Sequence, residues 1–499
     1  MSLPCRAAGE NIAPQGRGNL MRPMSKATVV SAALIGILFC STEAAQQKSG
    51  IKVVPLREAQ KVFATYKGKL PEDLTGEAMR SEDAWRRHVA EREKLLEERL
   101  EEGELDTLAN LTLFGTSFTD ASIITAAELQ QLAANAPSES RQGAEQNYQK
   151  RLKDLAIGLA YPQGNERLQY MSGLLQRRGF KFATASDYNR LGEFLARNVL
   201  RMLSENARYR EAIEKARALD AKSEFEARSH VFEHRGISLD TSLFPNYAIE
   251  QALKELKDKG ILRAGQVRRV AVVGPGLDTV NKDVGFDYYP EQTIQPFSVA
   301  DSLLRLGLAR ENKLSVVTLD ISEKVNSHIR EARRRALARR AYVLQLPLRM
   351  DGQPTDGAVA YWKAFGTRIG RTVPAIPAPK NAGNIETRAI GVFPSTVLKV
   401  HPEHLDIVYE RMELPEGEKF DLIIGTNIFV YYSEFEQGLA ETNLRAMLNE
   451  GGLVLTNDAL PLTSEGSALK VLGSTATAYS DAPGDGDTIL WLESRRTPD

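Results

Sequence analysis

Two hydrophobic rhythms divide this chain, and the change falls near residue 240. From about 60 to 235, apolar residues recur at helical spacing among charges, with almost no strand pattern. The stretch SEDAWRRHVAEREKLLEERLEEGELDTLANLTLFG (81–115) opens on a Ser-Glu-Asp cap and continues as charges around one apolar stripe. NYQKRLKDLAIGLAY (147–161) and DYNRLGEFLARNVLRMLSENARYREAIEKARAL (187–219) read the same way. This texture predicts a helical bundle whose stripes face its own core. A surface for a protein partner, or a substrate gate, is the second reading.

From about 241 short apolar runs alternate with amphipathic stretches. PNYAIEQALKELKDKG (245–260) puts Ile249, Leu253 and Leu256 on one helix face and stops at Gly260. VRRVAVVG (267–274) is a first strand buried on both faces, QPFSVADSLLRLG (295–307) a helix, and KLSVVTLD (313–320) a second strand. LDIVYERMEL (405–414) is expected as the third strand and EKFDLIIGTNIFVYY (418–432) as the fourth. SEFEQGLAETNLRAMLNEGG (433–452) opens on a Ser-x-x-Glu capping box and ends at paired glycines, before a fifth strand, LVLTND (453–458). Such alternation requires a parallel sheet covered on both faces. The tail, 467–496, reads instead as two strands joined by the turn-rich DAPGDGD, a hairpin.

The fold class expected is therefore α/β: a doubly wound sheet with a C-terminal antiparallel hairpin, preceded by an all-helical N-terminal domain. The expected divisions are a leader over 1–45, a helical domain over 46–240 and the sheet domain over 241–499. Two insertions, 278–294 and 322–404, lie at strand ends, where ligands are recognised; substrate recognition and decoration are equal readings of them.

A length of 499 residues fits two or three domains. Net charge is −1 and the sequence pI about 6.7, so no nucleic acid is expected as a partner. The basic run REARRRALARR (330–340) reads as the solvated face of a helix. Both cysteines, Cys5 and Cys40, precede residue 45, which excludes a cysteine nucleophile or thiolate metal site downstream. In HPEH (401–404), Pro402 disfavours a helical metal face, and no metal is expected. Residues 24–47 carry a basic flank, a short apolar core from Val29 to Phe39, and small residues at Ala44 and Ala45. That is the shape of a secretory signal peptide, with no transmembrane segment expected beyond it.

The chemistry concentrates at strand ends. VAVVGPGLD (270–278) turns through Gly274 and Gly276, where missing side chains let a ligand approach the backbone. Thr279 stands where a G-x-G-x-x-G turn has its third glycine. Asp320 closes VVTLD, in place to accept both hydroxyls of a ribose; a helix N-cap is its other reading.

From 245 to 496, about half the chain, this order resembles class I S-adenosylmethionine-dependent methyltransferases. VAVVGPGLD is similar to that family's first motif and VVTLD to its second. FDLIIGTNIFVYYSEFEQGLAETNLRAMLNEGGLVL (420–455) resembles the fourth-strand region, especially that of chemotaxis receptor methyltransferases. The resemblance implies a seven-stranded sheet, S-adenosylmethionine as cofactor, and transfer of its methyl group to an unknown acceptor. It implies Gly274, Gly276 and Asp278 against the methionine moiety, Asp320 on the ribose and Ile321 on the adenine. Met412 and Glu413 would border the adenine edge, and Thr426 and Asn427 would face the transferred methyl. A turn residue satisfying local backbone is the other reading of Asn427.

Asp287, Tyr288 and Tyr289 are candidates for substrate contact, and no general base is singled out. The chain departs from the pattern in three ways. Val272 replaces the acid before the first glycine, Asp278 replaces the third glycine, and Asp320 follows Gly276 by 44 residues. These departures leave a non-catalytic exported binding protein on a degenerate methyltransferase fold as the alternative, with an NAD-dependent oxidoreductase third. A secretory leader and this cofactor also imply different compartments. The leader predicts export or a periplasmic location; a mistaken start or retained anchor predicts a cytoplasmic or membrane-anchored protein.

Overall fold

The computed structural model describes residues 50–76, 80–133, 138–217, 231–232, 235–241, 243–281, 286–347, 354–376, 387–458, 460, 469–482 and 485–495. The expected leader, Cys5 and Cys40 lie outside the described residues. Seven strands form the central sheet: β1 (Arg269–Val273), β2 (Ser315–Asp320), β3 (Val400–His404), β4 (Phe420–Gly425), β5 (Leu448–Thr456), β6 (Leu469–Ala478) and β7 (Gly486–Ser494). Their order across the sheet is β6-β7-β5-β4-β1-β2-β3. Strands β1 to β5 run parallel, whereas β7 is antiparallel to both β5 and β6. The order reverses between β1 and β4. In an open α/β sheet that reversal leaves a crevice beyond the carboxyl ends of the strands.

The continuous apolar run of β1 follows from burial on both faces. Val270 and Val272 join one core, Ala271 and Val273 the other. The first core is closed by the helices Pro245–Asp258, Gln295–Arg305 and Glu323–Leu337, through Leu253, Phe297 and Ile329 among others. The second is closed by Leu56–Thr65 and Glu434–Met447, with Phe63 against Phe435 at 5.7 Å between ring centroids. Gly438 permits this approach, because a Cβ there would meet Val62 Cγ1 at 2.9 Å.

Packing therefore crosses the division expected at 240. Residues 50–499 form one compact unit, and Ile51–Val53 pairs antiparallel with Glu410–Met412. The helices Glu82–Phe114, Ser138–Ala160, Glu166–Arg177 and Ala185–Arg217 do carry a core of their own around Leu108, Leu155, Leu174 and Leu191. Among the described residues no helix is long and apolar enough to cross a membrane.

The third strand is displaced from its expected place. It is Val400–His404, an edge strand in which Pro402 needs no ladder N–H, and the apolar run after it is a turn. The Val408 N–H donates to Asp406 Oδ1 at 2.8 Å, closing that turn. Leu405, Ile407, Val408 and Tyr409 are buried there without being in the sheet. The first insertion is an antiparallel pair, Asp278–Asn281 with Phe286–Gln292. The second carries the basic helix and a three-stranded antiparallel sheet, Tyr342–Pro347, Thr387–Val392 and Gly370–Val373.

Candidate functional site

A cavity of about 270 Å³ occupies the crevice where β1, β2 and β4 end. Its floor begins at the glycine turn after β1. Gly274 and Gly276 have φ of 59° and 58°, the left-handed region that side chains disfavour. A Cβ on Gly274 would lie 2.2 Å from Ile428 Cδ1, and one on Gly276 would lie 2.5 Å from Leu239 O. The turn gives the crevice room rather than donors. Gly274 N–H donates to Leu319 O at 2.8 Å, and Gly276 N–H to Asp320 Oδ2 at 3.4 Å.

Asp320 ends β2 inside the cavity and is only 3 % exposed. Its Oδ1 accepts the Ser322 N–H at 2.7 Å. Burial pushes its carboxyl up to about 7, against the opposing pull of the Ser322 and Gly276 N–H groups. The carboxylate thus organises local backbone, and its residue lines the cavity. Ile321 lines the wall beside it.

Thr426 and Asn427 follow β4 and line the same cavity. Thr426 Oγ1 accepts from Gln295 Nε2 at 3.0 Å. Asn427 has a φ of 58°, and residues after β5 hold it there. The Asn427 N–H donates to Asn457 Oδ1 at 2.8 Å, while Asn457 Nδ2 donates to Asn427 Oδ1 at 2.9 Å. Asp458 Oδ2 accepts the N–H groups of Ile428 and Phe429 at 2.9 and 2.8 Å. Asn427 is therefore both a turn residue and a cavity residue. Its supports, Asn457 and Asp458, were legible only as the polar end of an apolar strand.

The roof has no counterpart in the sequence reading. Residues 237–241 form a strap that lines the cavity from the helical side. The Leu277 N–H donates to Leu239 O at 2.8 Å, and the Thr241 N–H to Leu277 O at 3.2 Å. Toward the helix Glu82–Phe114 the strap lies backbone on backbone, since a Cβ at Gly103 would sit 1.9 Å from Ile237 O. Arg99 pins the ensemble by donating to the carbonyls of Arg235, Phe232 and Tyr431 at 3.2, 3.1 and 2.8 Å.

Three expected contacts are not made. Asp278 does not line the cavity; its carboxylate accepts the Ile294 N–H at 2.6 Å and the Thr241 hydroxyl, bracing the turn against the next helix. Met412 and Glu413 lie on the segment that leaves to pair with Ile51–Val53. There the Met412 N–H points at Met447 Sδ (3.4 Å) and Glu413 meets Lys52 at 2.5 Å. Leu405 and Ile407 line the wall in their place, because the third strand ends earlier than its apolar run. For Asp287, Tyr288 and Tyr289 the backbone belongs to Phe286–Gln292, and their side chains lie outside the described residues.

Among the described residues lining the cavity, the carboxylates are Asp240 and Asp320, and there is no Lys, Arg or His. Such a lining favours a cationic or neutral polar ligand and opposes a pyrophosphate.

No family model matches the chain, and no curated protein does. Solved structures with partial likeness include TrmN from Thermus thermophilus, with 14% identity and a TM-score of 0.24 over 50% of this chain and 52% of that one. The chain thus spans about half of TrmN. Magnesium protoporphyrin IX methyltransferase from Synechocystis with bound SAM shows 11% identity and a TM-score of 0.24, over 56% of this chain and 85% of that one. N-methyltransferase NodS from Bradyrhizobium japonicum with S-adenosyl-L-homocysteine shows 10% identity and a TM-score of 0.25, over 55% and 98%. At such scores any function has to be read from the crevice itself.

Proposed function

We propose that the crevice binds S-adenosylmethionine and that the protein is a methyltransferase acting on an acceptor of unassigned identity. The observation that carries this reading is convergence. The glycine turn after β1, the carboxylate ending β2 and the amide after β4 share one cavity at the reversal of strand order. The reading is also supported by β7, antiparallel beside β5, which is the returning last strand that the sequence resemblance implies. The likeness of 420–455 to chemotaxis receptor methyltransferases is part of the same proposal.

The residues suit the cofactor. Ile321, Leu405 and Ile407 offer an apolar wall for a purine, and Asp320 two acceptor oxygens for ribose hydroxyls. The cation-free lining suits a sulfonium. When bound, S-adenosylmethionine supplies a methyl carbon already activated by the positive charge on sulfur. What remains for the protein is alignment and exclusion of water, and fixed alignment lowers a bimolecular barrier by roughly 7–11 kcal/mol. Thr426 and Asn427, held rigidly through Gln295 and Asn457, form the wall at which an acceptor would be aligned.

Calorimetric titration separates this reading from its rivals. One-site binding of S-adenosylhomocysteine without binding of NAD is expected. Binding of NAD alone would convert the assignment to a dinucleotide enzyme, and binding of neither would remove the cofactor reading.

A further inference from the structure

The methyl donor ends in a zwitterionic amino acid, and an ammonium taken out of water into a crevice is held best by a carboxylate partner. Strand β1 supplies none. Val272, at the position where the sequence resemblance expects an acid, is fully buried in the apolar core. Asp320, at the end of β2, is the acceptor that the methyl-donor reading gives to the ribose hydroxyls. The other acidic residue among the described lining residues is Asp240, on the strap.

We propose that Asp240 is the counter-ion for the α-ammonium of the cofactor's amino-acid end, supplied across the crevice in place of an acid on β1. The inference rests on the methyl-donor reading above. Asp240 is bridged in parallel to Leu277, directly after the glycine turn, so its position follows the turn that would receive the amino-acid moiety. It is 7 % exposed, and its Oδ2 lies 3.4 Å from the Thr107 hydroxyl, which donates to it from the helix Glu82–Phe114. That helix also fixes the strap at Gly103 and, through the Arg99 carbonyl, accepts the Ile237 N–H at 2.9 Å. The helical half of the chain thereby completes the cofactor site, and the departure at Val272 is a relocation of charge rather than a loss of function.

The test is a cycle of four calorimetric titrations: wild type and Asp240→Asn, each with S-adenosylhomocysteine and with its analogue bearing hydrogen in place of the α-amino group. Wild type is expected to bind the deaminated analogue at least about tenfold more weakly. In Asp240→Asn that ratio is expected to collapse to within about threefold, the coupling that such a cycle isolates. Asp240→Glu, which keeps the charge, should preserve most of the discrimination and serves if the Asn variant does not fold. Equal discrimination in wild type and Asp240→Asn overturns the inference, as does a wild type that binds both ligands equally. A wild type that binds neither overturns the methyl-donor reading and this inference together.

Discussion

The floor and the roof of the crevice are made by different kinds of chain. The floor consists of residues just past the apolar runs of β1, β2 and β4, where the sheet fixes each backbone to its neighbour. The roof is a strap with no periodic pattern, held mainly by main-chain contacts to Leu277 and Gly103. On the floor, side-chain chemistry can change while the backbone stays. On the roof, geometry depends on the absence of side chains elsewhere. Substitutions should therefore separate the two, through chemistry on one side and shape on the other.

The largest effect is expected where the two surfaces meet. Gly276→Val adds a side chain at a φ of 58°, where even a Cβ would be 2.4 Å from Thr241 Cγ2 and 2.5 Å from Leu239 O. It should pry the strap from the turn and weaken S-adenosylhomocysteine binding more than about 100-fold, roughly 2.7 kcal/mol. Retained affinity in an equilibrium titration would show that the roof is dispensable.

Asp320→Asn tests the floor by removing the charge and one of the two acceptor oxygens. A charged hydrogen bond contributes roughly 1.5–3 kcal/mol, so a loss of about ten- to a hundredfold in affinity is expected. The pH dependence has a definite sign. Because burial raises the Asp320 carboxyl to about 7, and hydroxyl donors favour its ionised form, affinity should climb toward pH 7 and level off above it. Stability runs the other way. The folded chain holds this proton where the unfolded chain, with an ordinary Asp value of about 3.9, does not. That contribution is complete below about pH 4 and is lost as pH rises toward 7. Burial raises Asp406 to about 7 as well, so the affinity profile should flatten in Asp320→Asn if Asp320 is its source.

Asp458→Ala should act on stability before binding. It removes the acceptor of two N–H groups at Ile428 and Phe429, and thermal unfolding should register a loss of about 1.5–3 kcal/mol. A midpoint unchanged from wild type would mean the loop after β4 holds itself. Smallest of all, Met412→Leu and Glu413→Gln should leave ligand affinity within about twofold, since both residues are outside the cavity.

This contrast also explains what could be read from the sequence. Strands β1, β2 and β4 were legible because burial on two faces leaves continuous apolar runs, closed by Gly274, Asp320 and Asn427. The capping box was equally plain, with Ser433 and Glu436 bonded reciprocally as their spacing implies. Strand β3 was hidden because an edge strand tolerates His401, Pro402, Glu403 and His404, while the apolar residues that follow are buried in a turn. Met412 and Glu413 were misplaced with it. Asp278 has the position of a ligand residue but is drawn under the turn by the Ile294 N–H. The strap was illegible for another reason: backbone contacts such as those of Leu239 O leave no mark on side-chain pattern.

A crystal structure of the chain grown with S-adenosylhomocysteine tests the central claim most directly. The expected result is a ligand in the crevice beyond β1 and β4, its ribose hydroxyls within hydrogen-bond distance of Asp320 and its thioether facing Asn427. Ligand density at any other place, or none at saturating concentration, would contradict it.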